Sequence, residues 1–269
     1  MERKIGFAQF EPRFGETDAN LRAVERLAAE AAGADLLVFP ELAVSGYEFV
    51  DRDELLSLAE PFGDGPTSVL ARSLAILHNA ALVIGYPESC GEMLYNSCVI
   101  ATPDGRLANY RKTHLFSRET VMFARGEAPP PVVQTPAGRV GVMVCFDWVF
   151  PEASRILALA GAQIIAHPSN LVLQFCQRVM FARSVENAVY SITANRIGTE
   201  SRAGRTLTFT GASQILSPQG ELLAQAPTDA ECVSIVTSDI SRADDKRMTE
   251  CNDLLADRRV ELYGTLLDR

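Results

Sequence analysis

The chain has 269 residues, 47% hydrophobic and 22% charged, an ordinary globular composition with length enough to bury a substantial core. A formal net charge of −9 works against nucleic acid or an anionic membrane as partner, since both attract excess positive charge. No apolar run approaches the ~18 residues of a membrane span, and MERKIGF at the start holds no signal-peptide core, so the expected location is cytoplasmic.

In chain order, Ile5–Gln9 reads as a strand, followed by Leu21, Val24, Leu27 and Ala31 at helical spacing with Asp18 as N-cap. Leu36–Phe39 is the next strand. Helical spacing returns at Leu70, Leu74 and Leu77, and a third strand at Leu82–Gly85 ends in Tyr86-Pro87. The chain therefore begins as βαβαβ. Asn96–Ala101 and Leu107–Tyr110 flank Pro103-Asp104-Gly105 as an antiparallel hairpin, and a turn at Pro136-Ala137-Gly138 introduces a strand at Val140–Val144. Then come a helix at Glu152–Ala160 closed by Gly161, a strand at Ile164–Ala166, a helix within Val172–Val189 and a strand at Ser191–Ala194. A late hairpin joins Ser213–Leu216 to Leu222–Ala224.

Alternating strands and helices demand helices on sheet faces, and the hairpins add antiparallel edges. The expected fold is α/β, a four-layer α-β-β-α sandwich of two mixed sheets, in one domain over residues 1–269. Its polar tail, 242–269, is expected to lean on a partner subunit.

Six cysteines, at 90, 98, 145, 176, 232 and 251, lack CxxC spacing, so most read as core thiols rather than disulfide partners. Three histidines, at 78, 114 and 167, form no HxH or HExxH pair, so neither a metal nor another cofactor is expected.

Three segments carry chemistry. In GVMVCFDWVFPE (141–152) Cys145 ends an apolar strand just before a helix, whose N-terminal partial charge favours thiolate. In FPEL (39–42) Glu41 follows a strand among apolar neighbours that limit its hydration, which suits a general base. In YRKTHLF (110–116) Lys112 leaves a hairpin strand where an ammonium can stabilise an oxyanion, and Glu119 follows seven positions later. Each piece alone has an ordinary reading: a buried strand cysteine, a solvated loop glutamate, a wet cationic edge.

Together, in this order, they resemble the nitrilase superfamily of carbon–nitrogen hydrolases, nearest its small archaeal nitrilase/amidase-like members carrying CFDW. The resemblance runs from Ile5-Gly6-Phe7-Ala8-Gln9 to Asn252-Asp253-Leu254. It implies a Glu41–Lys112–Cys145 reacting group, Glu119 beside substrate and lysine, and an oxyanion held by Lys112 and the Phe146 backbone N–H. It also implies a pocket lined by the segment His167-Pro168-Ser169-Asn170, with Asn170, Trp148 and Tyr47 as substrate contacts. The expected substrate is a small linear amide, such as a dicarboxylic acid monoamide. CFDWVFPE lacks the tryptophan–glutamate pair of long nitrilases and the paired arginines of N-carbamoyl amino acid amidohydrolases. A small aliphatic nitrile is the alternative substrate, and a catalytically idle binding or regulatory module is an alternative of another class. A homodimer or higher homo-oligomer is the implied assembly.

Overall fold

Along β1 (Glu2–Gln9), Ile5 and Phe7 point to one face and Ala8 to the other, and all three are buried. A strand covered on both faces belongs inside a layered structure. The computed structural model describes residues 2–202 and 204–267. After β1 come α1 (Thr17–Glu30), β2 (Leu36–Val38), α2 (Arg52–Leu58), β3 (Glu60–Pro61), α3 (Pro66–His78), β4 (Ala81–Cys90), β5 (Met93–Ala101) and β6 (Leu107–Arg111). The next segment runs through α4 (Glu119–Met122), β7 (Val132–Thr135), β8 (Gly138–Val142), a 3-10 turn at Cys145–Val149, α5 (Pro151–Leu159), β9 (Ile164–Pro168), α6 (Cys176–Val185) and β10 (Tyr190–Ala194). The hairpin β11 (Thr199–Arg202) and β12 (Arg205–Thr208) precedes β13 (Gln214–Leu216), β14 (Leu222–Gln225) and β15 (Cys232–Asp239).

One sheet has the order β15-β1-β2-β4-β5-β6, with β3 beside β4, and the other β14-β13-β10-β9-β8-β7. Ile5, Phe7, Leu36 and Val38 of the first pack with Val140, Val142, Ile164 and Ile192 of the second in one core. On the outer face of the first sheet, Val24, Leu27 and Leu74 of α1 and α3 cover Ala8, Leu37 and Leu82. Helices α5 and α6 lie on the second sheet. The α-β-β-α sandwich expected from the sequence is the architecture found.

Several boundaries differ for physical reasons. Glu16 occupies the cap of α1, and Asp18 sits in its first turn. Strand β4 continues through Pro87 to Cys90, because on that side β2 pairs only with Ala81–Val83 and β3 only with Glu88 and Ser89, so neither is registered with Pro87 to need its missing N–H. Helix α6, Cys176–Val185, is shorter than the expected Val172–Val189, and 172–174 line cavities instead. Elements α2, β3, β7, β11, β12 and β15 add to those expected, and β15 closes an edge by pairing with β1 along eight residues.

Of the six cysteines, Cys98, Cys145 and Cys176 are buried, Cys232 is half-buried, and Cys90 and Cys251 are exposed. The expectation of mostly core thiols is corrected: only Cys98 and Cys176 are buried away from the candidate site. In the tail, β16 (Arg247–Thr249) and β17 (Asn252–Asp253) form a small hairpin, while Val260, Leu262, Leu266 and Leu267 are exposed. Positions 268–269 of the expected tail lie outside the described residues. Among those described, no helix is long and apolar enough to cross a membrane.

Candidate active site

Strand direction gathers the reactive side chains. Strands β2 and β4 run parallel, and two successive antiparallel pairings make β6 parallel to β4. In the facing sheet β8, β9 and β10 are parallel. Glu41 follows β2, Lys112 follows β6, Cys145 follows β8 and Asn170 follows β9, so all four leave carboxyl ends of strands, where α/β sheets place ligands. A Cβ at Gly85 would lie 2.5 Å from Glu41 Cα and 2.6 Å from Pro40 O, so glycine there lets the Pro40-Glu41 backbone close onto β4.

Lys112 Nζ is fully buried between two carboxylates, 2.7 Å from Glu41 Oε1 and 2.9 Å and 2.8 Å from the two oxygens of Glu119. Asn96 Nδ2 donates to the same Glu41 Oε1 at 2.7 Å. The Asn96 carbonyl accepts the Lys112 backbone N–H at 2.8 Å, so this one residue registers both groups. Glu41 Oε2 is buried without a hydrogen-bond partner among the described residues. Glu119 opens the four-residue α4 and also accepts the Tyr47 hydroxyl at 2.6 Å.

Burial alone would strip the Lys112 proton, but Glu119 and Glu41 outweigh it and hold its pKa well above the ordinary lysine value. Burial raises Glu119, with Lys112 pulling the other way. Burial and then Glu41 raise the Cys145 thiol, against the opposing pull of Lys112. A helix N-terminus was expected to favour thiolate; burial and Glu41 instead push the thiol up, which fits the expected role of Glu41 as its general base.

Cys145 does not end strand β8, which stops at Val142; it opens the 3-10 turn at φ 42°. That left-handed conformation is costly for a side chain with a Cβ and must be held by its surroundings. Asp147 does much of the holding. Its Oδ2 accepts the Val144 N–H at 2.8 Å and the Tyr110 hydroxyl at 2.9 Å, and its Oδ1 lies 2.7 Å from His114 Nδ1. The cysteine turn is thereby tied to the segment carrying Lys112. His167, buried on β9, is held down to about 4 by desolvation, so the ring is neutral. Its Nε2, 2.9 Å from the Cys145 carbonyl, donates there, and Nδ1 accepts from the Thr193 hydroxyl at 3.1 Å.

Phe116, Cys145, Phe146, Trp148, Asn170 and Leu171 line a small cavity of about 230 Å³ together with Val172 and Leu173. Asn170 is 3% exposed and neither polar atom of its side chain has a partner among the described residues, so its amide is free for a ligand. Trp148 reaches this cavity with its ring edge-on to Phe175. Tyr47, expected at the substrate, instead lines an adjoining cavity with Glu119, Phe123 and Arg205 and bonds to Glu119. The structure thus brings Glu41, Lys112, Glu119 and Cys145 together and sets Phe146, Asn170 and Trp148 around the sulfur. Asn96 and Asp147 escaped the sequence reading, although a polar residue in an apolar strand, or inside the CFDW segment, was the available signal, and His167, expected to line the pocket, instead bonds to the Cys145 carbonyl. Among the described residues no group of three or more His, Cys, Asp or Glu side chains could hold a metal ion.

Residues 4–248 match the family described as Carbon-nitrogen hydrolase. The chain is 41% identical to a nitrilase of Pyrococcus abyssi, covering 97% of this chain and 98% of that one. It is 33% identical to an (R)-stereoselective amidase of a Pseudomonas species, over 97% and 93% of the two chains. A solved amidase from Nesterenkonia sp. AN1 superposes with a TM-score of 0.80 at 27% identity, covering 98% of this chain and 96% of that one. That structure is a glutamate-to-glutamine mutant showing covalent addition of the acetamide moiety of fluoroacetamide at the active-site cysteine. The chain belongs to the carbon–nitrogen hydrolase family. Within the nitrilase superfamily it is similar to proteins named for nitrile and for amide chemistry alike.

Proposed function

We propose that the protein hydrolyses a small linear amide to a carboxylic acid and ammonia through a Cys145 thioester. The observation that carries this reading is the division of labour between the two oxygens of Glu41. Lys112 and Asn96 saturate Oε1, while Oε2 is left bare in a buried site beside a protonated thiol. An unpartnered carboxylate oxygen in such a place is a base waiting for a proton. Glu41 takes the proton as sulfur attacks the amide carbonyl, and Lys112 with the Phe146 N–H holds the developing oxyanion. Collapse expels ammonia, which leaves with the proton from Glu41. Water, deprotonated by Glu41, then attacks the thioester and frees the acid and the thiol. Glu119 keeps Lys112 charged and in place, and the Asn170 amide offers a donor and an acceptor to the substrate.

The cavity favours a short substrate, since Phe116, Trp148, Leu171 and Leu173 line it closely around Cys145. A nitrile is the second reading, supported by the name of the Pyrococcus abyssi relative; sulfur would add to the nitrile carbon and two waters would complete hydrolysis. Ammonia release measured for propionamide and butyramide against propionitrile and butyronitrile is expected to give the higher kcat/KM with the amides. Faster nitrile turnover would reverse the assignment. Release from none, with no acyl adduct on Cys145 by mass spectrometry, would leave only the idle binding module.

We propose further that α5, α6 and the tail form a subunit interface. Ile156, Leu159 and Phe181 on the helices and Val260, Leu262 and Leu266 in the tail are apolar and exposed, and Arg155 of α5 is close enough to Arg258 of the tail to feel its charge. Sedimentation is expected to show at least a dimer, and a monomer at micromolar concentration would refute the interface.

A further inference from the structure

We propose that Glu200, on a hairpin remote from the reacting strands, is a positioning residue that aims the Tyr47 hydroxyl at Glu119; the proposal rests on the hydrolytic reading above. Tyr47 lies in the loop that follows Glu41, and its hydroxyl meets the Glu119 oxygen that Lys112 Nζ also contacts. That loop turns at Gly46, whose φ is +85° and whose Cβ position would fall 2.8 Å from Phe14 Cα, so the path is tightly enclosed.

Two consecutive backbone N–H groups of the loop converge on Glu200: Tyr47 N is 3.1 Å from Oε2 and 3.2 Å from Oε1, and Glu48 N is 2.7 Å from Oε2. Glu200 is itself buried and paired with the Arg196 guanidinium, which is fully buried and donates to the carbonyls of Pro12 at 3.1 Å and Ile197 at 3.2 Å. The guanidinium lies 4.0 Å over the Phe209 ring, whose centroid is 5.9 Å from that of Tyr47 in an edge-on pair. Backbone and ring of Tyr47 are therefore both located by the Arg196–Glu200 pair. A fully satisfied buried network of this kind has one geometry, and here its far end is the carboxylate that orients Lys112. Residues 196–200, from the second half of the chain, thus set the alignment of a group built from the first half.

The test reads the alkylation rate of Cys145 by iodoacetamide, followed by peptide mass mapping because exposed Cys90 and Cys251 also react. Glu200→Gln, Tyr47→Phe and the double variant are compared with the unmodified chain, with circular dichroism as a check of folding. Each single change is expected to slow alkylation about tenfold, in line with losing one charge-assisted hydrogen bond, and the double variant to be no slower than Tyr47→Phe alone. A merely structural role for Glu200 would make the two effects multiply, and that result, or an unchanged rate in Glu200→Gln, overturns the proposal. Should Glu200→Gln fail to fold, Glu200→Asp keeps the charge while shortening the reach to the two N–H groups, and the same pattern is required of it. Alkylation needs no amide turnover, so failure to release ammonia from any amide would sink the hydrolytic reading while leaving this measurement decisive.

Discussion

Replacing Cys145 by alanine is expected to lower ammonia release by roughly 10⁴–10⁶-fold and to abolish covalent capture of the acyl group, with the fold unchanged. The magnitude follows from the arrangement around the sulfur. Glu41 Oε2, the Lys112 ammonium and the Asn170 amide are all placed to serve an attacking group at this position. Without it they can only polarise a bound amide toward water. The stability cost is small, about 1 kcal/mol, because alanine keeps the Cβ and removes one buried sulfur. Intact-protein mass spectrometry after mixing with substrate reads the acyl adduct directly. Full turnover by Cys145→Ala would defeat the mechanism, whereas loss of turnover with an unfolded circular dichroism spectrum would show only damage.

The second large effect is expected at Lys112. Lys112→Met should cost about 3–5 kcal/mol of stability at neutral pH, because it leaves two buried carboxylates facing each other without their shared cation. It should also lower kcat by about 10²–10³-fold through the lost oxyanion donor. The loss of stability has a pH dependence whose sign can be checked. Burial raises Glu119 above the ordinary value of 4.5, and the charge of Lys112 is what chiefly opposes that rise. Removing the lysine raises it further, so the folded variant binds a proton more tightly than the unfolded chain does. That contribution is fully present below pH 4.5 and disappears as pH climbs through the raised folded value. The difference in Tm between variant and unmodified chain should therefore be smallest at acid pH and widen as pH rises. A gap independent of pH would mean that the carboxylates are not the source of the loss. Lys112→Arg is not expected to rescue activity, since a planar guanidinium cannot occupy a pocket fitted to a compact ammonium.

Much of this molecule was legible in one dimension. The periodicity of Leu21, Val24 and Leu27 placed a helix, the Pro103-Asp104-Gly105 turn placed a hairpin, and strands followed by Pro40-Glu41 and by Cys145 placed reactive groups at sheet edges. Where the reading missed, tertiary context had changed the rule. A proline ends a strand when a neighbouring strand is registered to its missing N–H, and Pro87 did not here because β2 pairs no further than Val83 and β3 pairs only with Glu88 and Ser89. The expected helix began at Val172, but 172–174 line cavities and the helix starts at Cys176. A helix N-terminus was expected to favour the Cys145 thiolate, and burial and then Glu41 push the thiol up instead.

What the sequence determined alone is what short range governs: most strands of the two sheets, the turns that reverse the chain, and the residue types that stand near strand ends. What only the tertiary structure decided is the pairing across distance. Lys112 meets Glu41 over 71 positions, Asp147 meets Tyr110 over 37, and Glu200 meets Tyr47 over 153. No periodicity encodes such partners. They are fixed only when two sheets stack and exclude water, so that each buried polar atom must find a partner within about 3 Å. The Glu41 oxygen left without a partner among the described residues is defined by that exclusion and by nothing local.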